Sequence, residues 1–464
     1  MRNRAQSKST GQLCKTVTLH AINDGLPTDS RRWRKTLLIF AIAFVIRMLL
    51  PTMFYVIDDE WPVGSSVAYR TGLASSLARG DGFSYAGYPN LYQTPVYPAF
   101  LAVVFYLVGN HWWTIAVSQS LVDSLTAILV GKIGSRLTPH GWLAGIFYAV
   151  FPYAAMQCRA IVDTPIVVLL FVAASWAFLA FLQSHRKPHL FVGIIAVGVG
   201  ILARPTCIVI VGAFCVAVLF SRIRVRRAIL ISATTLGLAA VIPLAWTYRN
   251  YELTGDFPVL AVGGQHALWY SHNEHVGGIY ERGESPDRVG RDPRYPMYPN
   301  YAVSSFFGVE PKEQLALANE CSNKARIWVS DHPREVLVYT ILKLGCFLNP
   351  DYVIRQQENS LQSLRIWVHR ATSTPITLLG WFGIMIAIRR DRAVGSFLLL
   401  VAGAFVAMHV IAIFGSRHKI PLEAVFCATS VLTLVATLEW WQRIRHLRVQ
   451  QVRDKEGIAR RNSE

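Results

Sequence analysis

Charge is scarce in this sequence: 16% of its 464 residues are charged, whereas 53% are hydrophobic. A soluble domain carries about a quarter of charged residues, so the composition argues against a soluble globular protein. The hydrophobic residues come in long blocks separated by short basic clusters, which is typical of a chain that crosses a membrane many times. We therefore expect an all-α polytopic membrane protein.

Signatures of several other protein classes are missing. The sequence has no Gly-rich phosphate-binding loop of the Walker or Rossmann type, which argues against a bound nucleotide. Its seven cysteines are scattered without CxxC or other metal-ligand spacing, and within apolar blocks cysteine behaves as a small apolar residue. No internal repeat or low-complexity tract is present. The pattern indicates one membrane domain with an embedded outer cap.

The net charge of +18 would also suit a protein that binds nucleic acid. The basic residues, however, are concentrated beside apolar blocks, at 31–35, 222–227, 389–392 and 443–461. This is the distribution expected for the cytoplasmic ends of membrane spans. Membrane lipids therefore explain the charge, and we predict no nucleic-acid partner.

Apolar blocks and flanking charge predict about ten transmembrane helices with both chain ends in the cytoplasm. The spans are expected at 35–57, 113–131, 141–157, 163–182, 189–203, 206–220, 228–247, 372–388, 394–414 and 421–439. Two shorter apolar pieces, 96–109 and 336–348, would move basic loops to the outer side if they crossed. We therefore predict that both lie on the outer surface as amphipathic helices.

This topology divides the chain into five parts. We expect residues 1–34 to form a disordered cytoplasmic tail and 35–247 a transmembrane module whose first outer loop is 58–112. The remaining parts are an outer cap of mixed structure at 248–371, which carries the surface helix, the last transmembrane helices at 372–439 and a basic cytoplasmic tail at 440–464.

Three adjacent carboxylates, Asp58, Asp59 and Glu60, follow the first predicted span. Like charges at the mouth of a hydrophobic bundle repel one another, so the pKa of at least one should be raised, or the group should bind a cation. A carboxylate there can take a proton from an attacking hydroxyl while its neighbour orients an acceptor or holds a metal. A solvated acidic loop is the alternative interpretation.

A series of short motifs follows these acids. The first outer loop runs Tyr69-Arg-Thr-Gly-Leu-Ala-Ser-Ser-Leu-Ala-Arg-Gly-Asp-Gly-Phe-Ser84 and then Gln93-Thr-Pro-Val-Tyr-Pro98. It resembles the first outer loop of the GT-C superfamily of membrane glycosyltransferases, family 39-like group. That group includes protein O-mannosyltransferases, the aminoarabinose transferase that acts on lipid A and many bacterial relatives.

The resemblance continues along most of the chain. Ala203-Arg-Pro-Thr206 matches the helix break of that group, Trp246-Thr-Tyr-Arg-Asn-Tyr251 its exit into the long outer loop, and Ser416-Arg-His-Lys-Ile-Pro421 its basic turn before the last span. The group commonly places its key Asp about four residues before the Tyr that corresponds to Tyr69. Position 65 is Ser here, and an insertion of about six residues would account for the acids further upstream.

The resemblance implies a GT-C bundle that transfers a sugar from a polyprenyl-phosphate donor to an acceptor hydroxyl on the outer face of a bacterial inner membrane. Asp59 would be the general base of an inverting transfer, with Asp58 and Glu60 left open as alternatives. Tyr69, Tyr97 and His266 would lie in the loops that contact substrate. The acceptor is a lipid, a glycan or a protein.

A departing lipid phosphate calls for cations on the outer side. Arg417 and Lys419 form a basic pair in a short outer loop, against the usual charge rule. Lys343, on the predicted surface helix 336–348, and Arg249 are further candidates for the phosphate site. The alternatives are a lipid-headgroup contact for Arg417 and a side chain that reaches along the surface to water for Lys343.

Two other acids have more than one interpretation. Asp163 opens a predicted span and could ligate a divalent metal together with Asp59. This metal is the only cofactor that the sequence suggests. Alternatively, Asp163 could cap the helix. Asp123 lies inside a predicted span and could pair with Lys132 or Arg47.

The rival function is a polytopic carrier, such as a flippase for lipid-linked sugars or another transporter. A carrier would favour ionisable residues at mid-bilayer and two similar halves of the chain. The sequence shows no such halves and places its acidic cluster at an outer mouth. A ligase-type enzyme of another membrane fold is a third alternative.

Overall fold

The computed structural model describes residues 29–57, 65–256, 260–273, 303–348, 360–412 and 416–461. Contacts between residues divide the chain into two units, residues 1–38 and 39–464. Within the first unit the description begins at Asp29, with the start of the first helix. Every contact discussed below lies within the second unit.

Long apolar runs with few helix breakers make the described part of the chain almost entirely helical. In chain order the helices are α1 (Asp29–Ile57), α2 (Ser65–Arg79), α3 (Val96–Val108), α4 (Trp112–Leu137), α5 (Leu143–Ala149), α6 (Pro152–Gln157), α7 (Thr164–Ser184), α8 (Lys187–Ala203), α9 (Ile208–Ala217), α10 (Val225–Thr254), α11 (Gly263–Ser271), α12 (Pro311–Asp331), α13 (Pro333–Leu348), α14 (Ser360–Arg390), α15 (Arg392–Ile411) and α16 (Ser416–Arg461). Short 3-10 turns lie at Pro205–Cys207, Val218–Phe220 and Val303–Phe306.

One small hairpin interrupts the helices of the described chain. Strands β1 (Ser84–Tyr85) and β2 (Tyr88–Pro89) pair antiparallel. Between them, Ala86 and Gly87 have φ of 50° and 86°. Two consecutive positive φ values are what a tight two-residue hairpin turn requires, because its twist then matches that of the strands.

Six helices among the described residues are long and apolar enough to cross a membrane: Trp112–Leu137, Thr164–Ser184, Val225–Thr254, Arg370–Arg390, Arg392–Ile411 and Arg417–Gln451. These findings support a multi-pass membrane protein, while the predicted number of about ten spans is not confirmed. Three further apolar helices are shorter, at Val96–Val108, Lys187–Ala203 and Pro205–Phe220.

The prediction of one continuous span at 141–157 is wrong. The chain forms two short helices there, α5 and α6, of 7 and 6 residues. Pro152 stands at the first position of α6, where its missing N–H is tolerated, and Phe151 before it is extended. At 1.5 Å per residue, neither helix approaches the ~30 Å of a hydrocarbon core.

Both predicted surface segments form helices. α3 has 13 residues and α13 has 16, each shorter than the ~20 residues that a span needs. α2 and α3 pack together through Ala74, Tyr97 and Leu101, which are buried in one cluster. The first loop therefore contains two helices, α2 and α3.

Several helices extend beyond the predicted boundaries. α10 continues past residue 247 to Thr254 and ends at Gly255, whose left-handed φ of 77° terminates the helix. α14 begins at Ser360, before the predicted start at 372. The last helix, α16, runs without interruption from Ser416 to Arg461, so most of the predicted tail 440–464 is helical.

The large hydrophobic core lies between α4, α7, α8, α9, α15 and α16. Small residues let helices approach closely: a Cβ added to Gly383 of α14 would lie 1.9 Å from the carbonyl oxygen of Thr429 in α16. Such contacts between small residues and backbone are the usual basis of helix packing in membranes.

Candidate active site

The three acids predicted as the catalytic group, Asp58, Asp59 and Glu60, lie outside the described residues. The chain is described again from Ser65, where α2 begins. The site is therefore built from the residues that follow these acids along the first loop and from the segments that contact them.

Tyr69 lies at the centre of an aromatic cluster. Its ring is stacked on Phe307, with 3.5 Å between ring centroids, and contacts the edges of Tyr85 and Tyr92. Its hydroxyl donates a hydrogen bond to Asn90 Oδ1. Burial raises the pKa of Tyr69 well above its ordinary value, so the phenol stays protonated and serves as a donor.

The segment predicted to form the outer cap contacts the first loop beside this cluster. The Tyr92 hydroxyl and His266 Nδ1 are 2.9 Å apart. The buried Gln314 of α12 accepts from the backbone N–H of Leu91 and donates to the carbonyl of Pro89, both at 2.9 Å. Sequence reasoning missed Gln314, because a lone Gln on an amphipathic helix gives no signal of its partner.

Arg249, near the C-terminal end of α10, binds the same hairpin. Its Nη1 donates to the carbonyl oxygen of Asn90 at 2.8 Å and its Nη2 to that of Phe83 at 3.4 Å. The guanidinium also lies 4.9 Å from the ring centroid of Trp246. Tyr69, His266 and Arg249, which were predicted separately, thus meet around residues 83–92.

Tyr97 supports a second region. Its hydroxyl donates to Gln119 Oε1 at 2.9 Å, and Gln119 Nε2 donates to the carbonyls of Cys158 and Ala160, each at 2.9 Å. Tyr97 therefore fixes the turn between α6 and α7. That turn leads directly to Asp163.

Asp163 forms a two-point ion pair with Arg204. Arg204 Nη2 lies 2.8 Å from Asp163 Oδ1, and Arg204 Nε lies 3.1 Å from Oδ2. The predicted helix cap is not formed, since the carboxylate makes no capping hydrogen bond to α7. Both carboxylate oxygens of Asp163 accept hydrogen bonds from the guanidinium of Arg204 instead.

Local sequence explains where Arg204 lies. A residue before proline is pushed out of the helical region, and Arg204, before Pro205, is extended with φ −151° and ψ 120°. α8 consequently ends at Ala203, where the sequence predicted a break. The carbonyl of Ala203, left without a helical partner, accepts from Thr94 Oγ1 at 2.9 Å.

Two more arginines lie close to Asp163. Burial alone would raise the pKa of Asp163, but Arg204, Arg417 and Arg70 hold it below its ordinary value, so the carboxylate is ionised. Arg70 also donates to the carbonyl of Ile161 at 2.8 Å. We call Asp163, Arg70, Arg204 and Arg417 the arginine cluster. Sequence reasoning found Asp163 and Arg417 and missed the other two.

Lys419 and Lys343 are both buried, but among the described residues only Lys419 is paired with a carboxylate. Lys419 Nζ is 3.5 Å from Glu423 Oε1 in a fully buried pair, and it donates to Ser373 Oγ at 3.1 Å. Lys343 Nζ donates to Ser271 Oγ at 2.6 Å and to the carbonyl of Ala412 at 2.9 Å. Burial lowers the pKa of Lys343 to about 8.

The sequence also suggested a divalent metal at Asp163. In the part of the chain that the structure describes, no group of three or more His, Cys, Asp and Glu side chains could hold a metal ion. Both oxygens of Asp163 accept from Arg204, and two further arginines act on the carboxylate. These surroundings do not fit a divalent cation, and Asp59, the second predicted ligand, lies outside the described residues.

Comparison with known proteins was made by family and by structure. Residues 92–246 match the model of the family described as dolichyl-phosphate-mannose-protein mannosyltransferase. The structure is also similar to the archaeal oligosaccharyltransferase AglB from Archaeoglobus fulgidus, solved with an inhibitory peptide and a dolichol-phosphate. The two are 14% identical, the match covers 90% of this chain and the TM-score is 0.52. The chain has a GT-C fold.

Another solved structure matches with a lower TM-score. ArnT from Cupriavidus metallidurans, bound to undecaprenyl phosphate, is 15% identical, with a TM-score of 0.41 and coverage of 87% of this chain and 78% of ArnT. No curated protein matches the sequence. The chain spans 52% of the length of AglB.

The segment that matches the family model contains some of the candidate site residues and not others. Residues 92–246 contain Tyr97, Asp163 and Arg204, whereas Asp59 and Arg417 lie outside it. The resemblance predicted from the sequence is confirmed for the fold.

Proposed function

We propose that this protein is a glycosyltransferase that moves a sugar from a polyprenyl-phosphate donor to an acceptor hydroxyl on the outer face of a bacterial inner membrane. The GT-C fold and the family match at 92–246 support a donor of this class. The acceptor hydroxyl belongs to a lipid, a glycan or a protein.

The arginine cluster is the observation that carries this proposal. Its three arginines come from α2, the break after α8 and the start of α16, yet all of them act on the carboxylate of Asp163, which lies in the turn before α7. Guanidinium groups match phosphate oxygens in charge and in hydrogen-bond geometry. A lipid phosphate that reaches this place would meet three arginines, which come from three separate segments.

In the proposed reaction, the acceptor oxygen forms a bond to the anomeric carbon while the bond from that carbon to the phosphate oxygen breaks. The electron pair of the broken bond stays on the lipid phosphate, and the proton of the hydroxyl passes to a first-loop carboxylate, which we assign to Asp59. One displacement at the anomeric carbon inverts its configuration.

The leaving phosphate gains negative charge as the bond breaks. Arg417 stabilises that charge, because a preorganised cation in a site shielded from water interacts strongly with a developing anion. Lys343 is the second cation that we assign to the phosphate. Lys419 is neutralised by Glu423 in a buried pair, so we assign it to helix packing.

Transfer assays with the purified protein in nanodiscs test the catalytic assignment. Asp59→Asn, Asp58→Asn and Glu60→Gln are compared for transfer from an undecaprenyl-phosphate-linked hexose to envelope glycolipid. Loss of a general base should lower kcat by about 10²–10⁴-fold. Asp81→Asn is the matched control, since Asp81 lies in the same loop in an exposed pair with Arg79.

Asp59→Asn should lose activity and Asp81→Asn should keep it. Full activity in all three first-loop variants would exclude a carboxylate base in this loop. If the wild-type protein moves the lipid-linked sugar between leaflets of a vesicle without transferring it, the flippase alternative is correct.

A further inference from the structure

The Asp163–Arg204 pair leaves one part of the guanidinium unused. Asp163 accepts hydrogen bonds from Nε and Nη2, which are two of the three nitrogens of the guanidinium. Nη1 is buried and has no hydrogen-bond partner among the described residues. A buried donor without a partner costs free energy, so a ligand that accepts from it would be stabilised.

A second buried polar atom also lacks a hydrogen-bond partner among the described residues. His418 Nδ1 is buried and without a hydrogen-bond partner in the described chain. Arg204 and Arg417 both act electrostatically on this ring, and the ring centroid of His409 is 5.7 Å away. Arg204 Nη1 and His418 Nδ1 are thus both buried without a described hydrogen-bond partner, in side chains that interact electrostatically.

We infer that Asp163 is a positioning residue that fixes Arg204, and that Arg204 binds the phosphate of the lipid donor through Nη1. This inference rests on the proposed function and extends it to a residue that neither the sequence motifs nor the comparisons assign. It also replaces the metal-ligand interpretation of Asp163.

Three features favour a phosphate oxygen as the ligand. Arg204 is always protonated and presents its nitrogens in a fixed plane, so the carboxylate that holds one edge also sets the direction of the other. Phosphate oxygens accept short, strong hydrogen bonds from such a group. A metal cation would instead be repelled by the arginines around Asp163.

The backbone makes the arrangement rigid. Pro205 fixes the extended conformation of Arg204, and Thr94 binds the carbonyl of the preceding residue. Asp163 is placed by the turn that Gln119 holds through Cys158 and Ala160. A guanidinium held from both sides can stabilise the negative charge that develops on the leaving phosphate without having to reorganise.

The test measures binding of undecaprenyl phosphate and steady-state transfer by the full-length protein in nanodiscs. The variants are Asp163→Asn, Asp163→Glu, Arg204→Lys and Asp163→Asn combined with Arg204→Lys. Asp81→Asn, in the exposed pair with Arg79, is the matched control. Each protein is measured with EDTA and again with added Mn²⁺, and its folding is checked by thermal unfolding.

We expect Asp163→Asn and Arg204→Lys each to weaken binding by about 10-fold or more, the effect of one charge-assisted hydrogen bond. The double variant should be little weaker than either single one, and Asp163→Glu should recover part of the affinity. EDTA should leave wild-type binding unchanged, and Mn²⁺ should restore none of the variants.

Wild-type affinity in Asp163→Asn or in Arg204→Lys would overturn the inference. So would loss of wild-type binding in EDTA with recovery in Mn²⁺, which would identify Asp163 as a metal ligand. If Asp163→Asn does not fold, Arg204→Lys decides, because it keeps the charge opposite Asp163. If the wild-type protein does not bind undecaprenyl phosphate at all, the proposed function itself fails.

Discussion

Breaking the buried ion pair between Arg47 and Asp123 should strongly destabilise the protein. Arg47 Nε lies 2.5 Å from Asp123 Oδ2, and their side chains are 0% and 2% exposed. Arg47 also donates to the carbonyl of Ala149 at 2.9 Å, and the Tyr148 hydroxyl donates to Asp123 Oδ1 at 2.6 Å. The network joins α1, which leads into the acidic loop, to α4 and α5.

The expected size follows from this burial. Removing one partner leaves an uncompensated charge away from water, which costs about 3–5 kcal/mol. Arg47→Met should therefore lower the free energy of unfolding by that amount, and so should Asp123→Leu. Combining them removes both charges, and the double variant should lie within about 1–2 kcal/mol of the wild type. The implied coupling is about 4 kcal/mol or more.

A double-mutant cycle measured by denaturant unfolding in detergent micelles gives this coupling. The control cycle uses the pair Arg79 and Asp81, whose side chains are 65% and 55% exposed, where a coupling of about 0.5 kcal/mol is expected. A cost below about 1 kcal/mol for Arg47→Met would refute the reasoning, because Asp123 would then be stable without its cation.

Two further predictions concern α13 and the packing of α14. Lys343 has a pKa of about 8 against an ordinary 10.5, so its charged form is disfavoured in the fold. Lys343→Met should remove a penalty of about 3 kcal/mol that is complete below pH 8 and disappears as pH rises to 10.5. Unfolding measured from pH 7 to 10.5 would contradict this if the difference between variant and wild type stayed constant. Gly383→Ala should destabilise by about 1–3 kcal/mol, since its Cβ would lie 1.9 Å from the Thr429 carbonyl. Gly403→Ala, with open space around that Cβ, is its control, and equal melting temperatures for the two would show that α14 and α16 are not closely packed.

The helical membrane architecture was predictable because its signals are local. Apolar blocks, flanking arginines and the rule that proline excludes a preceding helical residue act within a few positions of the chain. They correctly located α7, the break at Arg204 and the helices α3 and α13. The same signals failed at 141–157, because an apolar run does not show that Pro152 begins a separate helix.

The sequence motifs of the first loop could be recognised, but the contacts that their residues make could not be predicted. Tyr69 and His266 were expected to touch substrate, which stays a prediction. In the structure Tyr69 stacks on Phe307 and His266 contacts Tyr92, so both join the first loop to the segment that follows α10. Gln314 completes that contact from 223 positions away along the chain. Its partners depend on how the cap folds back, which a local pattern does not record.

By itself, the sequence determined the class of fold, the helix break at Pro205 and the basic clusters that flank the apolar blocks. Only the tertiary structure decided which charges meet. Asp163 and Arg204 are 41 positions apart, and Arg47 and Asp123 are 76 apart. Helix periodicity sets the face of each residue, but the choice of partner depends on which helices pack together. The physical reason is that a buried charge is tolerated only where packing brings its counterion within a few ångströms.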